Sequence, residues 1–508
     1  MSALIIHNPA TGEQIGEVAL LDAAGVRALV VRARAAQPAW GARPIAERAR
    51  LLLRFRDRLV ERADEVADLS CAETGKLPVE ALLVDVLATA GVAAWSAKRA
   101  EAVLGRRRIP TGFMVTKRAW VVREPYGVVG VIAPWNWPVL NAMRAVLPAL
   151  VAGNTVVLKP SEAAPLSALL MRRLADEAGI PGDVFLVATG DGSTGAALVA
   201  AGVDRLSFTG GVETGRAIAR AAAERLLAVS LELGGKDAMI VLRGADLDRA
   251  ASAAVAGSFY NAGQICTSLE RIYVEAAVHD AFVERVLRET RALRVGSGGD
   301  ADVGSLTVAA QRATVDAQVR DAVARGARVL TGGRVVPGPG LYYEPTVLVD
   351  VTDEMAVMQE ETFGPLLPIV KVADAADAIR RTNASRFGLG ASIWGPAAHA
   401  ESLVREVRAG MLAVNDALLG ALIPGLPFGG IGESGNGRVH GDDGLREMSW
   451  SRGVVVDRAG LHEPAFYPLS RIGRAGALGA VRLLAGRGAL RWRGLRALVA
   501  RLGGLARR

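Results

Sequence analysis

Along most of this chain, short apolar runs typical of strands alternate with longer segments whose apolar residues have helical spacing. Short runs rich in valine, isoleucine and leucine are separated by longer segments with helical spacing, such as 163–178 and 247–260. The short runs predict strands and the longer segments predict helices. Strand-like runs occur at 128–133, 155–158, 184–188, 205–208, 226–232, 238–242, 271–274, 346–351, 367–372 and 391–394. Strands alternating with helices favour parallel sheets, so the sequence predicts an α/β protein.

The pattern before residue 127 is different. Segments 46–72 and 78–104 have the spacing of long amphipathic helices, and Leu51, Phe55 and Leu59 share one face of the first. Residues 108–126 are bounded by the turn-forming sequences Pro110-Thr-Gly and Pro125-Tyr-Gly, which are typical of an extended hairpin. We therefore expect two helices and then a small β arm ahead of the alternating pattern.

Length and composition narrow the class of protein. A chain of 508 residues is too long for one simple core, so two or more domains are expected. The two cysteines, Cys71 and Cys266, lie far apart, which indicates a reducing, cytoplasmic compartment and no disulfide framework. The five histidines lack metal-ligand spacing, so we expect no metal site. Neither a signal peptide nor an uncharged apolar run of about 18 residues is recognisable, so no membrane-spanning helix is expected.

The net charge of +8 comes from one end of the chain. Residues 465–508 contain ten arginines, no lysine and no acidic residue, which leaves −2 for residues 1–464. From Leu490 onward, apolar residues fall largely at helical spacing between arginines, a pattern typical of a helix lying in a membrane interface. The six glycines between positions 473 and 494 are expected to weaken such a helix. A peripheral membrane contact on the inner face, a disordered extension and a helix packed on a neighbouring subunit all remain open, and nucleic acid is not expected as a partner.

Two segments carry groups suited to covalent catalysis. Asn261-Ala-Gly-Gln-Ile-Cys266-Thr-Ser brings one cysteine to the end of a predicted helix, where nearby dipoles favour a thiolate nucleophile. A lone cysteine is more often a small buried apolar residue, which describes Cys71. In Leu231-Glu232-Leu-Gly-Gly-Lys236, a carboxylate at a strand end is suited to act as a general base, although a surface glutamate before a turn explains this segment equally well.

Three more segments follow predicted strands. Ala133-Pro-Trp-Asn136-Trp-Pro138 surrounds one amide with rigid residues, which suits an oxyanion donor as well as a packed aromatic turn. Leu158-Lys159-Pro-Ser161-Glu162 places a lysine and a glutamate where ribose hydroxyls bind at the carboxyl edge of an α/β sheet. Phe208-Thr-Gly210-Gly-Val-Glu-Thr-Gly215 links a strand to a helix whose first N–H groups are suited to a pyrophosphate.

Taken together, these segments resemble the aldehyde dehydrogenase superfamily. The resemblance runs from Asn8-Pro-Ala-Thr-Gly12 to about Asp457 and includes Glu360-Glu361-Thr-Phe363-Gly-Pro365. It also includes Pro427-Phe-Gly-Gly-Ile-Gly-Glu-Ser-Gly-Asn-Gly-Arg438. The order and spacing of so many segments make the resemblance specific. Without it, a separate structural explanation would be needed for each segment, and all of these would have to occur together by chance.

The resemblance implies roles for individual residues. Cys266 is the implied nucleophile, Asn136 with the Cys266 backbone N–H is the oxyanion hole, and Glu232 activates the water that hydrolyses the thioester. The implied cofactor is NAD, with NADP as an alternative, held by Trp135, Lys159, Ser161, Glu162, Thr209, Gly210, Gly211, Gly215, Leu233, Gly234, Glu361 and Phe363. The implied substrate-binding residues are Asn136, Arg144, Tyr260, Ile265 and Thr267.

The resemblance also implies a domain organisation. We expect a Rossmann-type NAD-binding domain (1–106 and 127–234), an α/β catalytic domain (235–445) and a small β oligomerisation arm (107–126 and 446–460). The basic tail is 465–508. Members of the superfamily form dimers or tetramers, so a homodimer or homotetramer is expected.

Departures from the common pattern bear on cofactor and substrate. Many relatives have serine where this chain has Gly211, so one hydroxyl contact with the pyrophosphate is missing. A carboxylate at Glu162 accepts a ribose hydroxyl and repels a 2′-phosphate, which favours NAD over NADP. Relatives acting on succinic semialdehyde have arginines at the positions of Arg144 and Tyr260, so half of that carboxylate clamp is absent here. We therefore expect an uncharged, lipophilic aliphatic or aromatic aldehyde.

Other functions remain as alternatives. The opening Asn8-Pro-Ala-Thr-Gly12 resembles the succinic semialdehyde and betaine aldehyde branch, whereas Val439-His440-Gly441-Asp442 resembles the branch acting on fatty and aromatic aldehydes. The subfamily is therefore open, and a semialdehyde is the first alternative. A CoA-acylating enzyme is the second, although such relatives generally lack the glutamate at Glu232. A non-catalytic protein on this scaffold is disfavoured by the complete set of Asn136, Glu232 and Cys266.

Overall fold

The computed structural model of the chain describes residues 3–112, 114–460 and 473–505. Its strands are β1 (Ala3–His7), β2 (Gln14–Ala19), β3 (Arg107–Ile109), β4 (Lys117–Pro125), β5 (Val128–Ile132), β6 (Thr155–Lys159), β7 (Phe185–Val187), β8 (Arg205–Thr209), β9 (Ala228–Glu232), β10 (Asp237–Val241), β11 (Leu269–Glu275), β12 (Arg328–Thr331), β13 (Thr346–Val349), β14 (Leu366–Val372), β15 (Gly390–Trp394), β16 (Met411–Val414) and β17 (Ser449–Asp457). Every strand expected from the sequence is present, with ends shifted by a few residues at most.

The α-helices alternate with these strands from β5 onward. They are α1 (Ala23–Gly41), α2 (Ile45–Glu61), α3 (Ala63–Thr74), α4 (Pro78–Glu80), α5 (Thr89–Leu104), α6 (Pro138–Ala152), α7 (Pro165–Glu177), α8 (Gly192–Ala200), α9 (Val212–Ala223), α10 (Leu247–Phe259), α11 (His279–Ala292), α12 (Ala309–Ala324), α13 (Ala356–Gln359), α14 (Ala375–Asn383), α15 (Ala397–Ser402), α16 (Gly441–Glu447), α17 (Gly473–Ala485) and α18 (Ala489–Leu505).

Two large sheets organise most of the protein. The first has the strand order β7-β6-β5-β8-β9, and all its pairs are parallel. Its order reverses between β5 and β8, and α/β sheets bind ligands beyond the carboxyl ends of the strands at such a point. The second has the order β12-β13-β14-β11-β10-β15-β16 and is parallel except for the β12–β13 pair. The expected α/β fold with a Rossmann-type sheet is confirmed.

Helix α6 lies inside the protein. All of its residues are buried, and it packs against β5 and β6 on one side and against α2, α5 and α7 elsewhere. The sequence explains this position, because the helix is apolar almost all round and such helices belong in a core. Its polar exceptions, Asn141 and Arg144, are therefore carried into the interior.

The early helices differ from the sequence expectation. The segment 46–72 is two helices, because the chain leaves helical geometry at Arg62 (φ −108°, ψ 26°) and α3 starts one residue later. A one-residue break barely disturbs the apolar spacing, so the pattern could not reveal it. Pro78–Leu104 is one continuous helix with a π-helical stretch at Ala81–Ala88. By length and composition it could span a membrane, but more than half of its apolar window is buried in the protein, as in a core helix.

The described residues within 106–122 and 451–505 form a compact unit distinct from the rest of the chain. The expected hairpin is confirmed, since β3 and β4 pair antiparallel within a three-stranded sheet of order β17-β4-β3. The described part of the basic tail is helical, as α17 and α18. Its residues 465–472 and 506–508 lie outside the described residues, as does Phe113 of the arm. The domain boundaries given above stay predictions.

Candidate active site

Four of the segments singled out in the sequence follow the carboxyl ends of adjacent parallel strands. Asn136 comes after β5, Lys159 ends β6, Thr209 ends β8 and Glu232 ends β9. These strands are neighbours in one sheet, so their ends meet along one edge. The fold therefore brings together side chains that are far apart in the sequence. The sequence alone related them only through their chemical type.

The turn before Cys266 is held in an unusual conformation. After α10 the chain passes through Asn261 and Ala262 with positive φ of 51° and 53°. Such backbone costs on the order of 1–3 kcal/mol per residue and persists only where surrounding contacts enforce it. The Asn261 backbone N–H donates to Glu80 Oε1 (2.5 Å), and the Thr307 backbone N–H donates to Gln264 Oε1 (2.8 Å). Buried side chains on both flanks thus fix the position of the cysteine.

The Asn136 side chain is fixed at both ends. Its Nδ2 donates to the Gln264 carbonyl oxygen (2.9 Å), and its Oδ1 accepts a hydrogen bond from Asn141 Nδ2 (2.9 Å). The Asn136 carbonyl oxygen accepts from Lys76 Nζ (2.8 Å) and Asn261 Nδ2 (3.1 Å). One N–H of the amide remains available. The arrangement is therefore a preorganised donor of the kind that stabilises an oxyanion.

Glu232 is a buried carboxylate without a hydrogen-bond partner among the described residues on either oxygen. Burial raises its pKa to about 8, although the Arg144 and Arg438 guanidinium groups act in the opposite direction. A carboxylate with a pKa near the working pH is suited to accept and release a proton. The sequence left its role even between base and surface residue, and its burial favours the base.

The segment carrying Glu361 and Phe363 is fixed by a buried glutamate. The Thr362 and Phe363 backbone N–H groups donate to the Glu270 carboxylate (2.7 and 2.8 Å), which also accepts from Lys236 Nζ (2.6 Å). Glu361 Oε1 accepts from the Gly235 backbone N–H (3.0 Å). The Phe363 ring meets the Trp135 ring edge-on, with centroids 5.4 Å apart.

Two cavities meet at Cys266. A cavity of about 270 Å³ is lined by Pro134, Trp135, Asn136, Asn141, Thr209, Gly210, Gly211, Glu232, Leu233, Gly234, Cys266, Gln311, Thr314, Glu361 and Phe363. A second cavity of about 630 Å³ is lined mainly by apolar side chains and includes the predicted Arg144, Tyr260, Ile265 and Thr267. The smaller cavity thus gathers most of the predicted cofactor residues, and the larger one gathers all the predicted substrate residues except Asn136.

The larger cavity carries two buried polar groups without partners among the described residues. Arg144 leaves Nε and Nη2 unpaired, and its guanidinium lies 4.6 Å above the centre of the Phe428 ring. His440 leaves both ring nitrogens unpaired, and burial lowers its pKa to about 3, so the imidazole is neutral. Burial raises the pKa of the Cys266 thiol to about 12, and Arg144 opposes that rise. The cysteine is therefore protonated in this state and needs a base.

The smaller cavity has features suited to the phosphates of a nucleotide. Gly211 precedes α9, no side chain caps that helix, and a Cβ at Gly211 would meet open space. Uncapped N–H groups at a helix start bind phosphate oxygens well. At Gly234 a Cβ would lie 2.4 Å from Glu361 Oε2, so any larger residue there would displace the Glu361 carboxylate.

Four predicted cofactor residues lie outside the lining of the smaller cavity. Lys159, Ser161 and Glu162 lie at the end of β6, where Lys159 Nζ pairs with Glu162 Oε2 at 3.2 Å. Gly215 faces Leu233, since a Cβ there would lie 2.6 Å from Leu233 Cδ2. Contacts of these four residues with the cofactor stay predictions.

Several residues of the site were not identified from the sequence. Trp137, Trp394, Leu418, Leu422, Phe428 and His440 line the larger cavity, and Gln311 and Thr314 line the smaller one. Phe428 and His440 stand in segments that carried the family resemblance, which is the only signal that could have indicated them. Trp137 stands in the segment around Asn136 that the sequence singled out. The remaining residues come from strands, helices and loops with ordinary composition.

The sequence model of the aldehyde dehydrogenase family matches residues 2–454. The chain belongs to the aldehyde dehydrogenase family. Its predicted identity as an enzyme of this family is thereby confirmed. The family match covers both large sheets and both cavities.

Three relatives show the range within the family. A putative NADP-dependent succinate-semialdehyde dehydrogenase of Mycolicibacterium smegmatis is 41% identical over 455 residues, covering 88% of this chain and 87% of that protein. A 4,4′-diapolycopene aldehyde oxidase of Methylomonas sp. is 38% identical over 505 residues, covering 98% of this chain and 94% of that protein. The crystal structure of a Mycobacterium tuberculosis aldehyde dehydrogenase complexed with NAD+ has a TM-score of 0.86 and 35% identity, covering 91% of this chain and 96% of that one.

Proposed function

We propose that this aldehyde dehydrogenase oxidises a lipophilic aldehyde to the carboxylic acid and releases the acid by hydrolysis. The observation that carries the proposal is the position of Cys266 where two cavities meet. One holds Asn136, Glu232 and the glycine segments. The other offers a large, mainly apolar space for the rest of the substrate.

The residues would act in two half-reactions. Cys266 Sγ bonds to the carbonyl carbon while its proton passes to a base, and the Asn136 amide and the Cys266 backbone N–H stabilise the oxyanion. A bound nicotinamide dinucleotide supplies the hydride acceptor. Glu232 then takes a proton from water, which attacks the resulting thioester and releases the acid and the Cys266 thiol. A retained Glu232 supports hydrolysis rather than transfer to CoA.

The larger cavity supports an apolar substrate. Leu83 and Leu87 are exposed and line it, so apolar surface continues from the interior to solvent. Trp137, Leu140 and Ile265 continue that surface inwards. The Methylomonas relative, named for a carotenoid aldehyde, supports the same class of substrate.

A semialdehyde is the second candidate, because Arg144 is a buried guanidinium with unpaired N–H groups in this cavity. The M. smegmatis relative is named for such a substrate. A panel of hexanal, benzaldehyde, longer alkanals and succinic semialdehyde, followed by absorbance of the reduced cofactor, tests both candidates. We expect the lipophilic aldehydes to have the higher kcat/KM. A tenfold advantage for succinic semialdehyde, equivalent to about 1.4 kcal/mol, would reverse the assignment.

We propose NAD as the preferred cofactor. Glu162 is half exposed and lies beside Lys159 at the end of β6, where it can accept ribose hydroxyls. The Glu162→Ser variant should gain with NADP relative to NAD, because it removes the carboxylate that repels a 2′-phosphate. Glu177→Ser, at the far end of α7 and paired with Arg62, is the matched control. A wild-type kcat/KM that favours NADP contradicts the proposal.

We propose that the protein is cytoplasmic and assembles as a homodimer or homotetramer through the three-stranded sheet. Strand β17 is at one side of that sheet, and Val455 on it is exposed. Strand addition at such a position joins subunits in many proteins. Light scattering should give a mass of two or four chains, and Val455→Pro should reduce it. A monomeric wild-type protein would exclude this assembly.

A further inference from the structure

The C-terminal hairpin, α17 and α18, has its small residues inside and its large residues outside. Gly476, Gly479 and Gly494 are buried between the helices. A Cβ at Gly494 would lie 2.4 Å from the Leu483 backbone nitrogen and 2.6 Å from the Gly479 carbonyl oxygen. The glycines expected to weaken the helix therefore allow two helices to approach closely.

This packing leaves the large apolar side chains without a core. Trp492 is 68% exposed, Val499 60% and Val481 59%. Leu478, Leu484, Leu490 and Leu495 are exposed as well. Helices joined through small residues, with large apolar residues facing outward, are typical of packing in lipid rather than in water.

The charge of the hairpin indicates which surface covers these residues. Residues 465–508 hold ten arginines and no acidic residue, so the arginines have no carboxylate of their own segment to pair with. Arg482, Arg491, Arg493 and Arg496 alternate with the exposed apolar residues along both helices. A long arginine side chain can place its charge among lipid headgroups while its stem lies over apolar chains.

We infer that the C-terminal hairpin binds the surface of an anionic lipid bilayer, with its exposed apolar residues in the interface and its arginines at the headgroups. The family match ends at residue 454, so the hairpin is an addition to the shared fold. The alignment with the Methylomonas relative covers 98% of this chain and so includes most of the hairpin. The inference does not depend on which aldehyde is the substrate.

Flotation of the full-length protein with lipid vesicles tests the inference. Most of the protein should float with vesicles of phosphatidylglycerol and phosphatidylcholine at low salt, and little should float with phosphatidylcholine alone. A chain ending at Gly460 should stay in the soluble fraction. Added salt should weaken binding, since it screens the arginines.

Substitution of the exposed apolar residues of the hairpin shows whether vesicle binding depends on these residues or on exposed apolar surface anywhere on the protein. The triple variant Trp492→Ser, Val499→Ser, Val481→Ser should lose at least tenfold in vesicle affinity. The matched control Val31→Ser, Val60→Ser, Leu226→Ser changes three apolar residues outside the hairpin that are each more than half exposed, and it should float as the wild type does. Both variants should keep the wild-type circular dichroism spectrum and the wild-type kcat on the best aldehyde of the panel, which verifies that they fold.

Four results would overturn the inference. One is a full-length protein that stays soluble with both kinds of vesicle. Another is a hairpin triple variant that floats as well as the wild type. The third is a wild-type protein that does not float with vesicles, combined with a triple variant whose mass by light scattering is smaller than that of the wild type. The hairpin would then bind a second copy of the chain. The fourth is retention of the full-length protein on RNA, lost in the chain ending at Gly460, together with no flotation on either kind of vesicle, because the arginines would then bind nucleic acid.

Discussion

Lys76 Nζ lies 2.7 Å from Asp85 Oδ2, and both side chains are fully buried beside the active site. Asp85 Oδ1 also accepts from the Val139 and Leu140 backbone N–H groups at the start of α6, and Lys76 Nζ donates to the Asn136 carbonyl oxygen. The pair therefore joins the π-helical stretch, the start of α6 and the backbone of Asn136, whose side chain is proposed to stabilise the oxyanion. π-helical stretches are frequent at functional sites.

Breaking this pair should cost both stability and rate. Lys76→Met leaves the Asp85 carboxylate buried without its cation, which typically costs about 3–5 kcal/mol of unfolding free energy. The double variant Lys76→Met, Asp85→Asn should be less destabilised than the sum of the single variants, because it leaves no unpaired charge. Urea denaturation of the four proteins measures this coupling. Additive losses would show that the two residues do not act together.

The nucleophile can be tested against the other cysteine of the chain. Cys266→Ala should lower the rate of NADH formation more than about a thousandfold while cofactor binding stays near that of the wild type, because only the attacking sulfur is removed. Cys71→Ala is the matched control. Its half-buried thiol has a pKa that burial raises to about 12, and it lies outside both cavities, so this variant should keep its activity. Equal losses in both variants would remove Cys266 from the mechanism.

Protonation of Glu232 should make kcat fall at low pH, which gives the pH profile an acidic limb. Because its pKa is raised to about 8, the carboxyl is protonated below that pH and cannot accept a proton. We expect kcat to rise as the pH increases through about 8 and to level off above it. Glu232→Gln should give one burst of NADH followed by slow turnover, and its residual rate should no longer show this limb. A wild-type profile that is flat between pH 6 and pH 9 would assign the water-activating role elsewhere.

Arg144 should influence the chemistry even with an uncharged substrate. Its guanidinium opposes the rise in the pKa of both Glu232 and Cys266. With hexanal, Arg144→Met should therefore move the acidic limb to higher pH, whereas a residue that only binds substrate carboxylates would leave it in place. Arg249→Met is the matched control, because Arg249 lines the same cavity but is exposed and stacks on Trp394. An unchanged hexanal profile together with a selective loss of succinic semialdehyde activity would favour the second candidate substrate.

The sequence predicted the fold, and it predicted which candidate site residues lie along one sheet edge. Asn136, Lys159, Thr209 and Glu232 each end or follow an apolar run, and parallel strands bring such ends to one edge. Residues contributed by tertiary packing could not be predicted in this way. The ion pair between Lys76 and Asp85 depends on how the π-helical stretch packs against α6. The spacing of apolar residues in the sequence does not indicate this packing.

The glycines of the C-terminal hairpin illustrate a different limit. A glycine weakens an isolated helix, but it also lets a second helix come close, and the sequence alone does not say which effect decides. Gly494 lies against the backbone of α17, so the second effect governs here. The break at Arg62 was missed for the opposite reason, because the apolar spacing continues across it.

The meeting of two separate cavities at Cys266 has a kinetic consequence. Under the proposed function, the acid product would occupy the larger cavity and the dinucleotide the smaller one, so either could depart while the other stays bound. Slow release of one product therefore does not trap the other behind it. The acid should compete with the aldehyde for the larger cavity, but it should not compete with the oxidised dinucleotide. The two products should therefore give different patterns of inhibition.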